Sequence, residues 1–177
     1  MRSEHLVFVD ESGCHPGIGP LRGWAPKGKP LIGPEQVYAR KQHVSIIAAL
    51  SLDGLIARMT VRGGVGTQQL QRFVERYLAP VLSRGRVVCW DNLAAHKNIR
   101  VRRMIEARGA RVKFLPAYSP DLNPIEAAWS KLKHFIRKNQ AYSIAGLRSA
   151  IYRAYRKITV SDAAGWFRHC GYNVEKT

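Results

Sequence analysis

No apolar run in this chain approaches the roughly 18 to 20 residues needed to cross a bilayer, so no membrane span is read from it. The first residues, MRSEHLVFVDESG, lack the long apolar core and small-residue cleavage site of a secretory signal. Cysteine is scarce as well. Cys14, Cys89 and Cys170 are odd in number and widely spaced, which fits neither a disulfide framework nor a zinc site. A soluble chain in a reducing, intracellular compartment is the expectation, cytoplasmic in location. Internal repeats and low-complexity segments are lacking too, and 46% hydrophobic content argues against disorder in 177 residues, the length of one ordinary domain. Acid is the scarcest commodity: 12 Asp and Glu face 29 Lys and Arg, a net charge of +17. A basic domain of this kind suits a polyanionic partner, because each phosphate contact releases condensed counterions. Charge alone separates no enzyme from a passive binder.

The pattern that is present reads as an ordered α/β series. HLVFVD (5–10) is a short apolar strand ending in Asp10. A Gly- and Pro-rich loop is expected from Glu11 to about Pro34. HVSIIAALS and LIARMTV flank Asp53-Gly54, a hairpin signal. Leu70, Phe73, Val74, Tyr77, Leu78, Val81 and Leu82 then recur at helical spacing behind Thr67 as N-cap, with Pro80 set to kink or end that helix. Strand 86–90, a helix near 97–108, strand 111–115 and a helix opened by Asn123 and Pro124 follow, and two more helical patterns lie near 143–158 and 161–169. Three strands followed by helix, strand, helix, strand and helix predict a central mixed sheet of five strands flanked by helices, in a single domain spanning 1–177.

Three of the few acids fall at telling places. Asp10 ends the first strand, Asp91 the fourth, and Glu126 opens the helix after the fifth, with 34 residues between the last two. Carboxyl ends of neighbouring strands converge on one edge, where α/β folds bind ligands. Oxygen-rich acid clusters suit Mg²⁺, and two such ions about 3.5–4 Å apart activate an attacking oxygen and stabilise a leaving one at phosphorus. Each acid also has an ordinary explanation. Asp10 and Asp91 fit plain turns, Glu11 competes with Asp10, and Glu126, with Asn123 as N-cap and Pro124 at N1, fits a capping box at N3. An aspartyl phosphatase commonly has a second Asp two positions after the first, and Ser12 stands there.

FVDESG (8–13), GWAPKGKP (23–30), CWDNLAAHK (89–97) and FLPAYSPDLNPIEAAWSKLK (114–133) occur in an order that resembles the DDE transposases of the mariner-like superfamily, in its bacterial insertion-sequence branch. The resemblance implies a ribonuclease H-like fold with Asp10, Asp91 and Glu126 as catalytic residues holding two Mg²⁺ ions, Mn²⁺ being a plausible substitute. It implies DNA cleavage and strand transfer, that is, cut-and-paste transposition of an insertion sequence, with insertion at TA. The implied partners are double-stranded DNA at element ends and target, and a second copy of the chain. Action at the nucleoid would follow. The helix-turn-helix domains that precede the catalytic domain in the family have no counterpart ahead of Asp10, so the alternatives are a non-catalytic nucleic-acid-binding remnant and a repair or processing nuclease.

Smaller roles attach to other positions. Asn92 and His96 match the family's block after the second acid, where they orient metal-bound water, contact a phosphate, or start a helix. Asn123 is expected to cap its helix and so fix where Glu126 points. Tyr118, Ser119, Pro120 and Pro124 read as loop rigidity, and Trp129, Leu132 and Ile136 as core. Arg22, Trp24, Lys27 and Lys29 share a Gly/Pro-rich loop, where an aromatic among cations suits DNA or a second subunit. Lys131, Lys133, Arg137 and Lys138 follow Glu126, and Arg148, Arg153, Arg156 and Lys157 come next; both groups are read as phosphate contacts.

Overall fold

The computed structural model describes residues 2–19, 23–30, 43–91 and 98–174. Among these described residues five strands form one mixed sheet in the order β3-β2-β1-β4-β5: β1 (Leu6–Cys14), β2 (Val44–Ser51), β3 (Gly54–Arg62), β4 (Val87–Trp90) and β5 (Arg111–Phe114). The hairpins run antiparallel from β1 to β2 to β3, and β4 joins β1 in parallel with β5 beside it. The helices are α1 (Thr67–Phe73), α2 (Ile99–Glu106), α3 (Ile125–Lys138), α4 (Ile144–Tyr155) and α5 (Val160–His169).

Alternation along β1 explains the three layers. Leu6 and Phe8 enter a core with Trp129, Leu132, Ile151 and Phe167 from α3, α4 and α5. Val7 and Val9 face the opposite way, toward Leu70, Phe73, Val101 and Ile105 from α1 and α2. A strand apolar on both faces has to lie inside the sheet.

The hairpin forms where Asp53-Gly54 predicts it: the Asp53 N–H donates to Ser51 Oγ at 3.0 Å, and Gly54 adopts φ +90°, a left-handed conformation that glycine reaches without a Cβ penalty. Pro80 acts earlier than a simple kink. The helix widens into a π turn over Val74–Leu78, with the Ala79 N–H reaching back to the Val74 carbonyl, and closes in a 3₁₀ turn at Ala79–Val81. The wider turn accommodates a ring that carries no N–H. The N-cap of α1 is Gly66, one residue before the expected Thr67, and its N–H donates to Gln69 Oε1 at 3.1 Å.

Two expectations about the first strand are corrected. Asp10 does not end it, and the loop does not begin at Glu11, because β2 goes on pairing as far as Cys14↔Val44 after the parallel partner β4 has stopped at Val9↔Trp90. Asp10 therefore sits at a fork: hydrogen-bonded backbone on one side, an opening on the other.

Candidate active site

The opening beside Asp10 is made by strand register. Val9 pairs with Trp90, so Asp10 and Asp91 are each the next residue on neighbouring parallel strands, which run about 4.8 Å apart. Phe8 and Cys89, two residues earlier, face the layer of α3, and by alternation so do the two acids. Beyond β4 the Leu115 N–H donates to the Trp90 carbonyl at 2.7 Å and draws the 115–120 segment over the strand ends. The result is a cleft of about 380 Å³ whose walls include Asp10, Asp91, Glu126, Asn123, Tyr118 and Ser119. The three acids predicted to converge all line it.

Asp10 is only 9% exposed, and its Oδ2 accepts a hydrogen bond from Trp129 Nε1 at 2.9 Å. Burial pushes its pKa up to about 7; the charges of Glu126 and Glu11 push the same way, while the bonds from Trp129 and from the Glu11 backbone N–H oppose them. Electrostatic coupling to Glu126 is thus felt across the cleft. Among the described residues no three His, Cys, Asp or Glu side chains lie close enough together to hold a metal ion as they stand. The acids are gathered in one cleft, not clenched. An all-oxygen donor set in which burial, with a smaller push from neighbouring acids, holds the Asp10 carboxyl up near 7 fits a hard divalent cation, because such a cation favours the ionised carboxylate that burial and like charge disfavour.

Asn123 is a correction. Its side chain caps nothing: α3 begins at Ile125 with Pro124 in the cap position, and Asn123 contributes only its carbonyl, which accepts from the Glu126 N–H at 3.1 Å. The 3₁₀ turn Pro120–Leu122 is the cause, since the Asn123 N–H donates to the Pro120 carbonyl at 3.0 Å. That N–H is thereby denied to Glu126, and the capping box does not close. Asn123 Oδ1 is instead buried in the cleft wall without a hydrogen-bond partner. The Tyr172 hydroxyl donates to the Leu122 carbonyl at 2.7 Å and pins this turn from the far end of the chain.

Other expected site residues scatter. Trp24 is fully exposed, and Lys27 and Lys29 are exposed beside it. Lys131 is engaged by Asp162, whose carboxyl stays below its usual range through that bond and the Thr159 backbone. Lys133 and Arg137 are half-buried, their charges felt by the Cys14 thiol, while Lys138 is exposed. Arg22, Asn92 and His96 lie outside the described residues. Two residues read as structural prove to belong to the cleft. Trp129 holds Asp10, and its only sequence signal is standing one helical turn after Glu126, on the same face. Tyr118, at the rim, is fully exposed and left-handed at φ +57°, and its sequence signal was its place in the 114–133 block.

A family model described as DDE superfamily endonuclease matches residues 5–147. No curated protein matches the chain. Among solved structures, the Mos1 mariner paired-end complex with Mg is similar with a TM-score of 0.74 at 16% identity, covering 94% of this chain and 53% of that one. The corresponding complex with Mn gives 0.72 at 17%, covering 95% and 52%. The catalytic domain of Mos1 mariner transposase gives 0.59 at 16%, covering 97% and 85%. The chain thus spans about half the length of the first two. At this identity the likeness shows the fold, which is the ribonuclease H-like arrangement expected from the sequence.

Proposed function

Because this chain belongs to the DDE superfamily of endonucleases, we propose that it is the catalytic domain of a transposase. In this reading it cuts double-stranded DNA at the ends of an insertion sequence and joins the freed 3′ ends to target DNA. The observation that carries it is the meeting of Asp10, Asp91 and Glu126 in one cleft of a chain with net charge +17. Mutual repulsion makes such acids costly unless a cation joins them. The fold neighbours solved with Mg and Mn support divalent metal use.

Asp10, Asp91 and Glu126 would hold the ions, which when bound supply an activated attacking oxygen and a stabilised leaving oxygen at phosphorus. Trp129 holds Asp10 by its Oδ2 and so fixes how the carboxyl is presented to the cleft. With its pKa up at about 7, Asp10 would have to release its proton to hold a cation, so that loading and deprotonation would be linked near pH 7. Trp24, Lys27 and Lys29, with Lys138, offer cations and an aromatic face to phosphate and sugar; Arg22 joins them by its place in the same loop sequence, and Asn92 and His96, by the resemblance, would orient metal-bound water or contact a phosphate. A second copy of the chain, TA target sites, the bacterial insertion-sequence branch and a cytoplasmic place at the nucleoid belong to this reading; among the described residues no helix is long and apolar enough to cross a membrane.

Asp91→Asn is expected to abolish Mg²⁺- or Mn²⁺-dependent nicking of supercoiled plasmid while leaving duplex affinity equal or slightly higher. Nicking at the parental rate would overturn the assignment. Scoring joined products in the same reaction separates a transposase from a processing nuclease, which cuts without joining.

A further inference from the structure

The longest acid-free stretch of the chain runs from Ala127 to Ser161 and contains eight Lys and Arg. The fold divides them unequally. On α3, Lys131 is paired, Lys133 and Arg137 are half-buried and Lys138 is exposed, whereas Arg148, Arg153, Arg156 and Lys157, on α4 and just after it, are all exposed, Arg153 also donating to Asn139 Oδ1 at 3.0 Å. Beside them lies a groove of about 450 Å³ between α4 and the edge strand β3, lined among others by Thr60, Arg148, Ser149, Tyr152, Arg153 and Tyr155, with no acid among the described residues of its walls. Its floor is preformed: Tyr155 Oη and Thr60 Oγ1 share a hydrogen bond at 3.3 Å, and the Arg58 guanidinium lies 5.2 Å from the centre of the Tyr155 ring. Tyr152 stands 61% exposed on the rim.

We propose that this groove is a second docking surface for double-stranded DNA, holding the sugar–phosphate backbone of a segment outside the acid cleft. The choice of DNA over other polyanions rests on the reading of the cleft given above. Arg148, Tyr152 and Arg156 recur every four residues and extend about 12 Å along α4, the length of roughly three or four phosphates of one strand in a duplex. A single-stranded site needs successive aromatic platforms, and the groove exposes one. The groove is also in reach of the cleft. Asp10 pairs with Ala48 and Ala48 with Arg58, so its row begins two strand spacings from Asp10, about 10 Å, against about 34 Å for one duplex turn.

The test is fluorescence anisotropy of the whole chain with a labelled random-sequence duplex longer than two turns, and with one of its single strands. It is done in EDTA, so that failure of the metal chemistry in the cleft leaves the measurement untouched. Arg148→Ala/Arg153→Ala is expected to lower the salt slope of duplex binding by about 1.8, at 0.9 for each phosphate contact, and Arg148→Lys/Arg153→Lys to restore it. Arg103→Ala/Arg108→Ala, exposed cations on the opposite side of the sheet, makes the same charge change and is expected to leave the slope nearer the parental value. An equal drop in that control means diffuse charge and overturns the proposal. So does an unchanged slope in the first variant, or a loss confined to the single strand.

Discussion

Replacing Trp129 with Phe deletes one atom group of consequence, the Nε1–H that donates to Asp10 Oδ2 at 2.9 Å. A hydrogen bond to a charged group is worth about 1.5–3 kcal/mol, and it favours the ionised form of a carboxyl already held near pH 7 by burial. Its loss moves the Asp10 midpoint upward by about one to two pH units, at 1.36 kcal/mol each. Since a metal-bound carboxylate must be deprotonated and Asp10 is half ionised at pH 7 to begin with, apparent Mn²⁺ affinity at pH 7 falls roughly 5- to 50-fold. The deficit shrinks as pH rises toward 9, because the proton competes less. Isothermal titration of Mn²⁺ into the DNA-free protein from pH 6 to 9 reads this, with melting in EDTA to register the packing cost of a smaller ring. A variant whose folding is weakened but whose affinity keeps the parental pH profile would refute the reasoning, because packing damage alone leaves that profile in place.

The same carboxyl sets the pH dependence of stability. Its folded pKa of about 7 lies above the ordinary 3.8, so the stabilisation it contributes is fully present below pH 3.8 and is lost as pH rises through 7, a total of about 4 kcal/mol. The metal-free chain is expected to melt higher at pH 5.5 than at 8.5, with saturating Mg²⁺ narrowing the gap by mass action; a melting temperature that rises with pH in EDTA contradicts this. Asn123→Ala removes a buried oxygen that has no partner, so denaturant unfolding is expected to show stability unchanged or higher by about 1 kcal/mol while divalent-dependent nicking falls. A loss of about 1 kcal/mol is instead what deletion of a true N-cap produces, and would restore the capping role.

Which parts of this site could be read in advance follows from the range of the forces involved. The hairpin at Asp53-Gly54 and the break at Pro80 are decided by a few neighbouring dihedrals, so local sequence foretold them. The start of α3 is also local, yet it was misread: Pro124 does precede the helix, but the preceding 3₁₀ turn takes the Asn123 N–H and turns the side chain into the cleft. The end of β1 was misread for a different reason. A strand stops where its partners stop, and β2, which continues past Asp10, is separated from it by more than thirty residues of chain.

By itself the sequence determined the surplus of positive charge, the order of strands and helices, and the placing of Asp10 and Asp91 on two strands and of Glu126 at the opening of a helix. These are properties of composition and of periods 2 and 3.6, and they survive without knowledge of any contact. Only the tertiary structure decided how those residues are held: Trp129 donating to an aspartate 119 positions away, Asn123 left facing the cleft, and Lys131, Lys133 and Arg137 of α3 engaged or half-buried while Arg148 and Arg153 of α4 stay exposed. Burial and pairing across such separations depend on which faces the folded layers press together, and that is a property of the whole packed molecule.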